Sequence, residues 1–367
     1  MSKKIIFHHP LPLDKNAKHA SAIRPIKMIE AFQKLGYEVS DVTGYGKERK
    51  EKIIKIKKRI LAGEKFDFMY AESSTTPTQL TEKNNFPKYP LMDFDFFKFC
   101  KNRNIKIGLF YRDIYWRFKK DLKGKLFIKH IIAEPFFRYE LVQYNKLVDI
   151  VYVPSMQMAK YVPTVKQSKF KALPPGHDEY TLGTQKSLEK TINLLYIGGL
   201  GSHYQMHKLF KVLENFPNFY FTLCTREIEW ENAKSQYTLS NNINIVHKNG
   251  NELVELYDNA DIAMLFVKPQ DYREFAAPVK LFEYIGKEKP IIASKGTLAA
   301  SFVEEHSIGW SIDYEEEALA SLFKELSFDN SKLVKKHENI GKIKLKHTWE
   351  AKALQVEKDL IRDTIEY

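Results

Sequence analysis

Strand-length apolar runs alternate with helical periodicities along this 367-residue chain, and the alternation starts afresh near residue 180. That pattern constrains the fold more than any single motif. Strands separated by helices pair in parallel, and a parallel sheet needs helices on both faces. Lys3 to Phe7 predicts a first strand, followed by a polar loop from Pro10 to Ser21. Arg24 to Leu35 carries Ile26, Ile29, Ala31, Phe32 and Leu35 at helical spacing and stops at Gly36. Further strands are predicted at Tyr37 to Val42, Phe66 to Tyr70, Ile105 to Tyr111, Ile150 to Val153 and Lys169 to Leu173. Glu48 to Ala62 and Phe94 to Asn102 read as helices between them.

Thr181 to Thr191 is polar and linker-like, and Ile192 to Ile197 opens the second series. A helix at Met206 to Leu213 follows, then strands at Tyr220 to Cys224 and Ile243 to Val246. Glu252 to Tyr257 is helical and Ile262 to Phe266 is a strand. The most informative unit is Pro278 to Gly296, PVKLFEYIGKEKPIIASKG. A helical run opening on Lys280 and Glu283 breaks at a Lys-Pro step, and the apolar strand Ile291-Ile292-Ala293 follows. The expected fold is α/β: two doubly wound, Rossmann-like lobes facing a cleft. A chain of this length is too long for one ordinary core and suits two domains. No period of about 20–50 residues is visible, so a solenoid is excluded.

The chain is 44% hydrophobic and 13% aromatic, which excludes a disordered chain. Its two cysteines, Cys100 and Cys224, have no CxxC neighbour, and nothing suggests a disulfide framework. A reducing cytoplasm is the simplest expectation. Ile5-Ile6-Phe7 is too short for the apolar core of a secretory signal, and no run reaches the ~18 apolar residues that span a bilayer. The formal net charge of +12 favours anionic partners, whether nucleic acid, nucleotide phosphates or an anionic membrane surface, or else reflects a lysine-rich proteome alone.

Several segments carry usable chemistry. Gly198, Gly199 and Gly201 follow a strand and precede a helix, where glycines let backbone N–H groups approach phosphate oxygens. The spacing is neither GxGxxG nor a Walker loop, and an ordinary βα turn would read the same way. Lys280 and Glu283 are three apart and share a helix face, either as an exposed salt pair or as a ligand site. Ala276-Ala277-Pro278-Val279 before them leaves helix-start donors open, which favours a ligand. Arg226 lies just past a strand end, where open α/β sheets bind ligands, and would either meet a phosphate or a base or be an ordinary surface arginine. Arg112 and Asp113 also follow a strand end, and His8 and His9 follow the first strand. Arg112 and Asp113 would orient a hydroxyl or carry a proton, or form a structural ion pair, and the histidines would face the same cleft as catalysts or as loop hydrogen-bonders. Trp116 to Lys129, WRFKKDLKGKLFIK, interleaves aromatic and basic residues as a helix at an anionic membrane surface does. An ordinary amphipathic helix with solvated lysines fits it as well. No metal-ligand spacing and no nucleic-acid-binding module is present.

Almost the whole chain resembles the GT-B glycosyltransferases, closest to the large bacterial group that includes family 4. The resemblance rests on Ile5-Ile6-Phe7 with Arg24 to Val39, Val153-Pro154-Ser155, Leu173-Pro174-Pro175-Gly176, Tyr196-Ile197-Gly198-Gly199, Asn251 to Asp261, Pro278 to Tyr284 with Lys289 to Ala293, and His347 to Glu350. It implies an acceptor-binding lobe at 1–180, a nucleotide-sugar-binding lobe at 181–345 and a helix at 346–367 crossing back to the first lobe. It implies that Glu283 binds the ribose hydroxyls. Backbone N–H groups around Pro278, Val279 and Lys280, with Gly198 and Gly199, would meet the diphosphate. Contacts around Tyr272 to Ala277 would set the sugar. There are departures. The carboxylate that pairs with Glu283 eight residues earlier in such enzymes falls at Phe275, not Glu274. The Arg and Lys that often follow the strand before Gly198 are absent, with Gly199 and His203 in that area, and Ser21-Ala22 stands about where the first loop carries its glycine pair.

The expectation is therefore a cytoplasmic glycosyltransferase at the inner face of the membrane. It would move a sugar, in the manner of a metal-independent hexosyltransferase, to a glycan, glycolipid or glycoprotein in bacterial surface polysaccharide synthesis. The donor is a substrate, and no cofactor or metal is expected. Lys280 and Arg226 would stabilise the leaving diphosphate, and Asp113 with Arg112 would stand near the acceptor hydroxyl. Trp116 to Lys129 would touch the anionic membrane, no nucleic acid would bind, and a homo-oligomer is left open. A non-catalytic GT-B-like partner subunit and a sugar-nucleotide epimerase are the alternatives.

Overall fold

The computed structural model describes residues 3–14, 20–118, 125–180, 191–201, 204–329 and 331–361. Residues 119–124 of the basic segment, 181–190 of the linker and His203 lie outside them. The chain divides into two compact units, Met1–Pro175 with Trp349–Tyr367, and Gly176–Thr348.

In chain order the first unit begins β1 (Lys3–His9), α1 (Ala20–Lys34), β2 (Tyr37–Thr43), α2 (Gly46–Leu61), β3 (Phe68–Glu72), α3 (Met92–Lys101) and β4 (Lys106–Phe110). It continues α4 (Lys125–Leu147), β5 (Ile150–Val153), α5 (Met156–Ala159) and β6 (Phe170–Ala172). The second unit runs β7 (Ile192–Ile197), α6 (His207–Leu213), β8 (Phe219–Cys224), α7 (Glu227–Ala233), β9 (Ile243–Val246), α8 (Leu253–Asn259) and β10 (Ile262–Leu265). It closes with α9 (Val279–Gly286), β11 (Ile291–Ser294), α10 (Leu298–Glu305), β12 (Gly309–Ile312), α11 (Glu316–Phe328) and α12 (Ser331–Lys344), before α13 (Trp349–Ile361) returns to the first unit.

Each unit holds one six-stranded sheet, in the orders β2-β1-β3-β4-β5-β6 and β12-β11-β10-β7-β8-β9. Every strand pair is parallel. Alternation along β7 shows why both faces are apolar. Leu194 and Tyr196 join one core with Phe210 and Phe323, while Leu195 and Ile197 join another with Leu281 and Ile285. In the first unit α13 buries Ala353, Val356 and Leu360 in the core that holds Ile5, Phe7 and Tyr70. Gly108 of β4 permits this approach, since a Cβ there would stand 2.9 Å from the Tyr152 ring and 3.0 Å from Leu360.

Two expectations shift. His8 and His9 lie within β1, not beyond it, and both are buried. His8 Nε2 is 2.8 Å from Asp93 Oδ1, and Arg49 grips both oxygens of that carboxylate at 3.0 Å. Burial pushes His9 down to about 3, so it is neutral near pH 7. The second shift concerns Trp116, which is a core residue. Its indole donates to the Tyr111 hydroxyl at 3.0 Å and stacks on Phe137.

Glu140 of α4 is also buried, accepting from the Thr78 N–H at 3.0 Å and from the Tyr144 hydroxyl at 3.3 Å. Burial pushes its carboxyl up from 4.5 to about 8. The folded chain therefore binds more protons than the unfolded one across that window, and stability falls as pH rises through it. Melting curves from pH 5 to 8.5 are expected to fall with pH in the wild type and to flatten in Glu140→Gln, whose amide oxygen can accept the same two donors. An equal slope in both would remove this assignment.

Candidate functional site

In the second sheet the chain leaves β7, builds β8 and β9 on one side, then crosses over to build β10, β11 and β12 on the other. The reversal lies between β7 and β10, and ligands of open α/β sheets bind at such a point, outside the carboxyl ends of the strands. The loops that leave those two strands hold the residues singled out above: Gly198 to Gly201 after β7, and Tyr272 to Pro278 after β10.

The glycine loop is tied down by side chains. Gly198 N–H donates to the Cys224 carbonyl at 3.0 Å, which extends the ladder between β7 and β8 by one residue. The Tyr196 hydroxyl donates to the Gly199 carbonyl at 2.9 Å, and Leu200 N–H donates to Glu229 Oε2 at 3.1 Å. The loop does not run straight into a helix, because α6 starts only at His207 and is seven residues long.

Across the reversal, Pro278 is the N-cap residue of α9 and offers no side-chain cap. The first backbone N–H groups of α9, at Val279 and Lys280, have no intrahelical acceptor and carry the positive end of its dipole. Tyr284 fixes this helix beneath β7, its hydroxyl oxygen accepting from Ile197 N–H at 3.0 Å. Lys280 and Glu283 do come together: Lys280 Nζ is 2.5 Å from Glu283 Oε2. Tyr257 of α8 donates to the same oxygen at 3.1 Å. Burial, then Glu283, holds the Tyr257 phenol well above its ordinary value, so it remains a donor. Glu283 Oε1 has no hydrogen-bond partner among the described residues.

Phe275 occupies the place eight residues before Glu283 and is 1% exposed, while Glu274 points to solvent. Tyr272 stands edge-on to Phe275, with ring centroids 5.1 Å apart. Arg226 precedes α7 and pairs with Glu229, its side chain 72% exposed. Arg112 and Asp113 belong to the first unit. Arg112 Nη2 is 3.6 Å from Glu72 Oε2, and Asp113 accepts from Tyr115 N–H at 3.3 Å.

Within Tyr272 to Ala277, nothing in the sequence singles out Arg273. It lies between β10 and α9, with its guanidinium 4.4 Å from the centroid of the Tyr204 ring in the loop after β7. Arg273, Pro278 and Thr297 line one small recess. A second, open cavity of about 620 Å³ is lined by Lys208, Lys268, Lys295, Asp313, Tyr314 and Glu315, among others. The local signal for Arg273 was weak, a single Arg between acids in a loop. Only the crossover makes it a neighbour of Tyr204.

Solved structures share this architecture. Sucrose-phosphate synthase from Thermosynechococcus elongatus matches with a TM-score of 0.65 at 16% identity, covering 99% of each chain. HepE of Anabaena in complex with UDP matches with a TM-score of 0.65 at 13% identity, covering 97% of this chain and 99% of its own. WaaG, a glycosyltransferase involved in lipopolysaccharide biosynthesis, gives 0.57 at 12% identity, covering 97% and 99%. The chain has the GT-B glycosyltransferase fold. No protein-family model and no curated protein sequence matches it significantly.

A Cβ on Gly198 would stand 2.7 Å from the Tyr196 hydroxyl, whereas one on Gly199 meets nothing closer than 3.5 Å. Gly198→Ala is expected to cost about 1–3 kcal/mol by overpacking, and Gly199→Ala to leave stability within about 0.5 kcal/mol. Urea denaturation of the two variants checks this, and equal costs would mean that the Tyr196 tie does not shape the loop.

Proposed function

We propose that this chain is a glycosyltransferase that takes its sugar from a nucleotide-diphosphate donor bound by the second unit. The observation that carries the reading is the meeting, at one chain reversal, of an uncapped helix start, Arg273 and a carboxylate with a free oxygen. The matching architecture of HepE, solved with UDP and with UDP-glucose, supports a uridine diphosphate sugar as the first donor to try.

In this reading Glu283 Oε1 accepts from the ribose hydroxyls, with Lys280 and Tyr257 holding the carboxylate in place. The Val279 and Lys280 N–H groups and the Gly199 backbone meet the diphosphate. As the bond from the sugar to the diphosphate breaks, negative charge grows on the leaving phosphate. Arg273, Lys280 and the start of α9 stabilise it, an electrostatic contribution already in place before reaction. These protein cations support a transferase that needs no metal ion. Tyr272 borders the sugar, and Arg226, held on Glu229, serves at the rim. The acceptor is proposed to be a glycan, glycolipid or glycoprotein of a bacterial surface polysaccharide, meeting the first unit near Arg112 and Asp113.

Peripheral contact with an anionic membrane belongs to the same reading. Its support has moved from Trp116 to α4, where Ile128, Ile131 and Ile132 share one face and are 57%, 51% and 57% exposed beside Lys129. Among the described residues no helix is long and apolar enough to cross a membrane. The buried Phe275 in place of a carboxylate favours one second reading, a non-catalytic GT-B-like subunit that binds a donor without turning it over.

Thermal shift with UDP, GDP and TDP tests the donor site. One of them is expected to raise the melting temperature, by about 2.7 kcal/mol of stabilisation at a hundredfold excess over Kd, and the shift is expected to shrink at least tenfold in affinity in Glu283→Ala. No shift with any of the three would sink the reading. Release of UDP from a UDP-sugar separates transferase from silent subunit. Ile128→Glu with Ile132→Glu is expected to reduce sedimentation with anionic liposomes, and no binding by the wild type would remove the membrane contact.

A further inference from the structure

The open cavity of about 620 Å³ in the second unit is lined by residues that the donor site does not use. It lies at the carboxyl edge of the second sheet. There β10, β11 and β12 run parallel, and each hands on one lining residue. Lys268 comes just after β10, Lys295 directly follows β11, and Asp313 directly follows β12. The start of α6 adds Lys208. Ligands of open α/β sheets bind outside this edge, and small-molecule pockets usually measure about 300–1,000 Å³.

One backbone oxygen ties the walls together. The Gln205 carbonyl accepts from the Lys268 N–H and from the Tyr314 hydroxyl, both at 3.0 Å. The segments before α6, after β10 and after β12 are thereby fixed at one point. Burial pushes the Tyr314 phenol up to about 12, so it remains a donor at neutral pH. The Lys295 N–H donates to the Ile312 carbonyl at 2.8 Å, which holds the remaining wall to the end of β12. No ligand is needed to assemble the cavity.

Its charges favour an anion. Lys208 is ion-paired with Glu315, and Lys295 Nζ is 3.2 Å from Asp313 Oδ2. The Lys268 ammonium has no hydrogen-bond or ion-pair partner among the described residues. Three ammonium groups against two carboxylates leave one positive charge over. The Glu315 and Asp313 side chains are 61% and 64% exposed, and ion pairs so exposed are weak. An oxyanion in the cavity can therefore draw on all three lysines. A neutral sugar finds less there, because both rings in the lining are taken. Lys208 Nζ lies 5.5 Å from the Tyr314 ring centroid, Phe266 packs on that ring at 4.9 Å, and His207 lies flat on Tyr237 at 4.6 Å.

We infer that this cavity is a second ligand site, for a small organic phosphate whose phosphate group is held by Lys268 with Lys208 and Lys295 around it. Inorganic phosphate would meet the same lysines but leave most of the volume unfilled, which favours an organic ligand. The site does not rest on the transferase reading. The recess at Arg273 and Pro278 has a different lining, so a ligand here leaves the donor site free.

Titration calorimetry on the full chain tests this, with ribose 5-phosphate, glycerol 3-phosphate and inorganic phosphate as probes and ribose as the neutral control. At least one organic phosphate is expected to bind at millimolar concentration or better, inorganic phosphate more weakly, and ribose not at all. Lys268→Gln is expected to weaken that binding tenfold or more, with Lys268→Arg recovering part of it. Asp313→Asn removes a competing carboxylate and is expected to tighten binding several-fold, a change of sign that loss of folding cannot produce. Glu283→Gln, in the donor site, is expected to leave it unchanged. UDP binding measured on the same preparations reports the donor reading separately. No binding of either organic phosphate by the wild type, equal binding by Lys268→Gln, or loss in Glu283→Gln would overturn the site. Inorganic phosphate binding as tightly as the organic phosphates would overturn the assignment of the ligand.

Discussion

The site in the second unit depends on one buried hydrogen bond, from the Ile197 N–H to the Tyr284 hydroxyl. A parallel sheet gathers its carboxyl ends on one edge, but it does not say where the following helices begin. Tyr284 settles that for α9. It joins the core that contains Leu195, Ile197 and Ala263 and ties the helix to the last residue of β7. The helix start at Pro278 then has to emerge next to the loop that leaves β7. Had α9 been anchored to β11 alone, the glycine loop and the helix start would have had no fixed spacing.

Both units use buried polar side chains to hold loops, and the difference between complete and incomplete networks is informative. Asn242 donates its amide to the Leu213, Phe216 and Phe219 carbonyls at 3.0, 3.0 and 2.8 Å, which pins the turn between α6 and β8. Asp93 takes Arg49 through both oxygens and His8 as well, while Arg49 also donates to the Pro10 and Gly44 carbonyls. The Asn242 network is well satisfied, whereas the Asp93 group leaves one atom, His8 Nδ1, without a hydrogen bond. The Glu72 group, in which Arg24 and Arg112 share one carboxylate, leaves four, and buried groups left short of partners are expensive in a low dielectric. Position separates them too: Asn242 lies at the amino-terminal edge of β9, whereas Glu72 is the last residue of β3.

Strand alternation and the restart near residue 192 were legible because a parallel strand buried on both faces is an uninterrupted apolar run. β1 was truncated at Phe7 for the converse reason: His8 is polar in sequence and buried only because Asp93, 85 residues later, meets it. Trp116 misled in a similar way. Its neighbours are lysines in sequence, yet Phe137 and Tyr111 surround it in space. Beyond Gly296 the chain adds α10, β12, α11 and α12, which the sequence pattern did not mark out. Lys280 and Glu283 were visible because helical spacing alone pairs them. Arg273, Tyr257 and the sharing of Glu72 by two arginines were not, since each arises from a crossover that brings distant segments to one edge.

Phe275 gives the departure from the family pattern a physical form. Its ring is buried against Tyr272, and a carboxylate in that packing would be desolvated. The chain carries Arg273 two residues earlier, over Tyr204 and beside the start of α9. Relative to a site with a glutamate at position 275, this one has lost a negative charge and placed a guanidinium within the same loop. If the proposed donor binds there, a dianionic diphosphate would be held more strongly. Less would be offered to a sugar hydroxyl at that point, so recognition of the sugar would fall to Tyr272 and to backbone groups between Phe275 and Pro278. Tight grip on the diphosphate and loose grip on the sugar is the behaviour this exchange of charges favours.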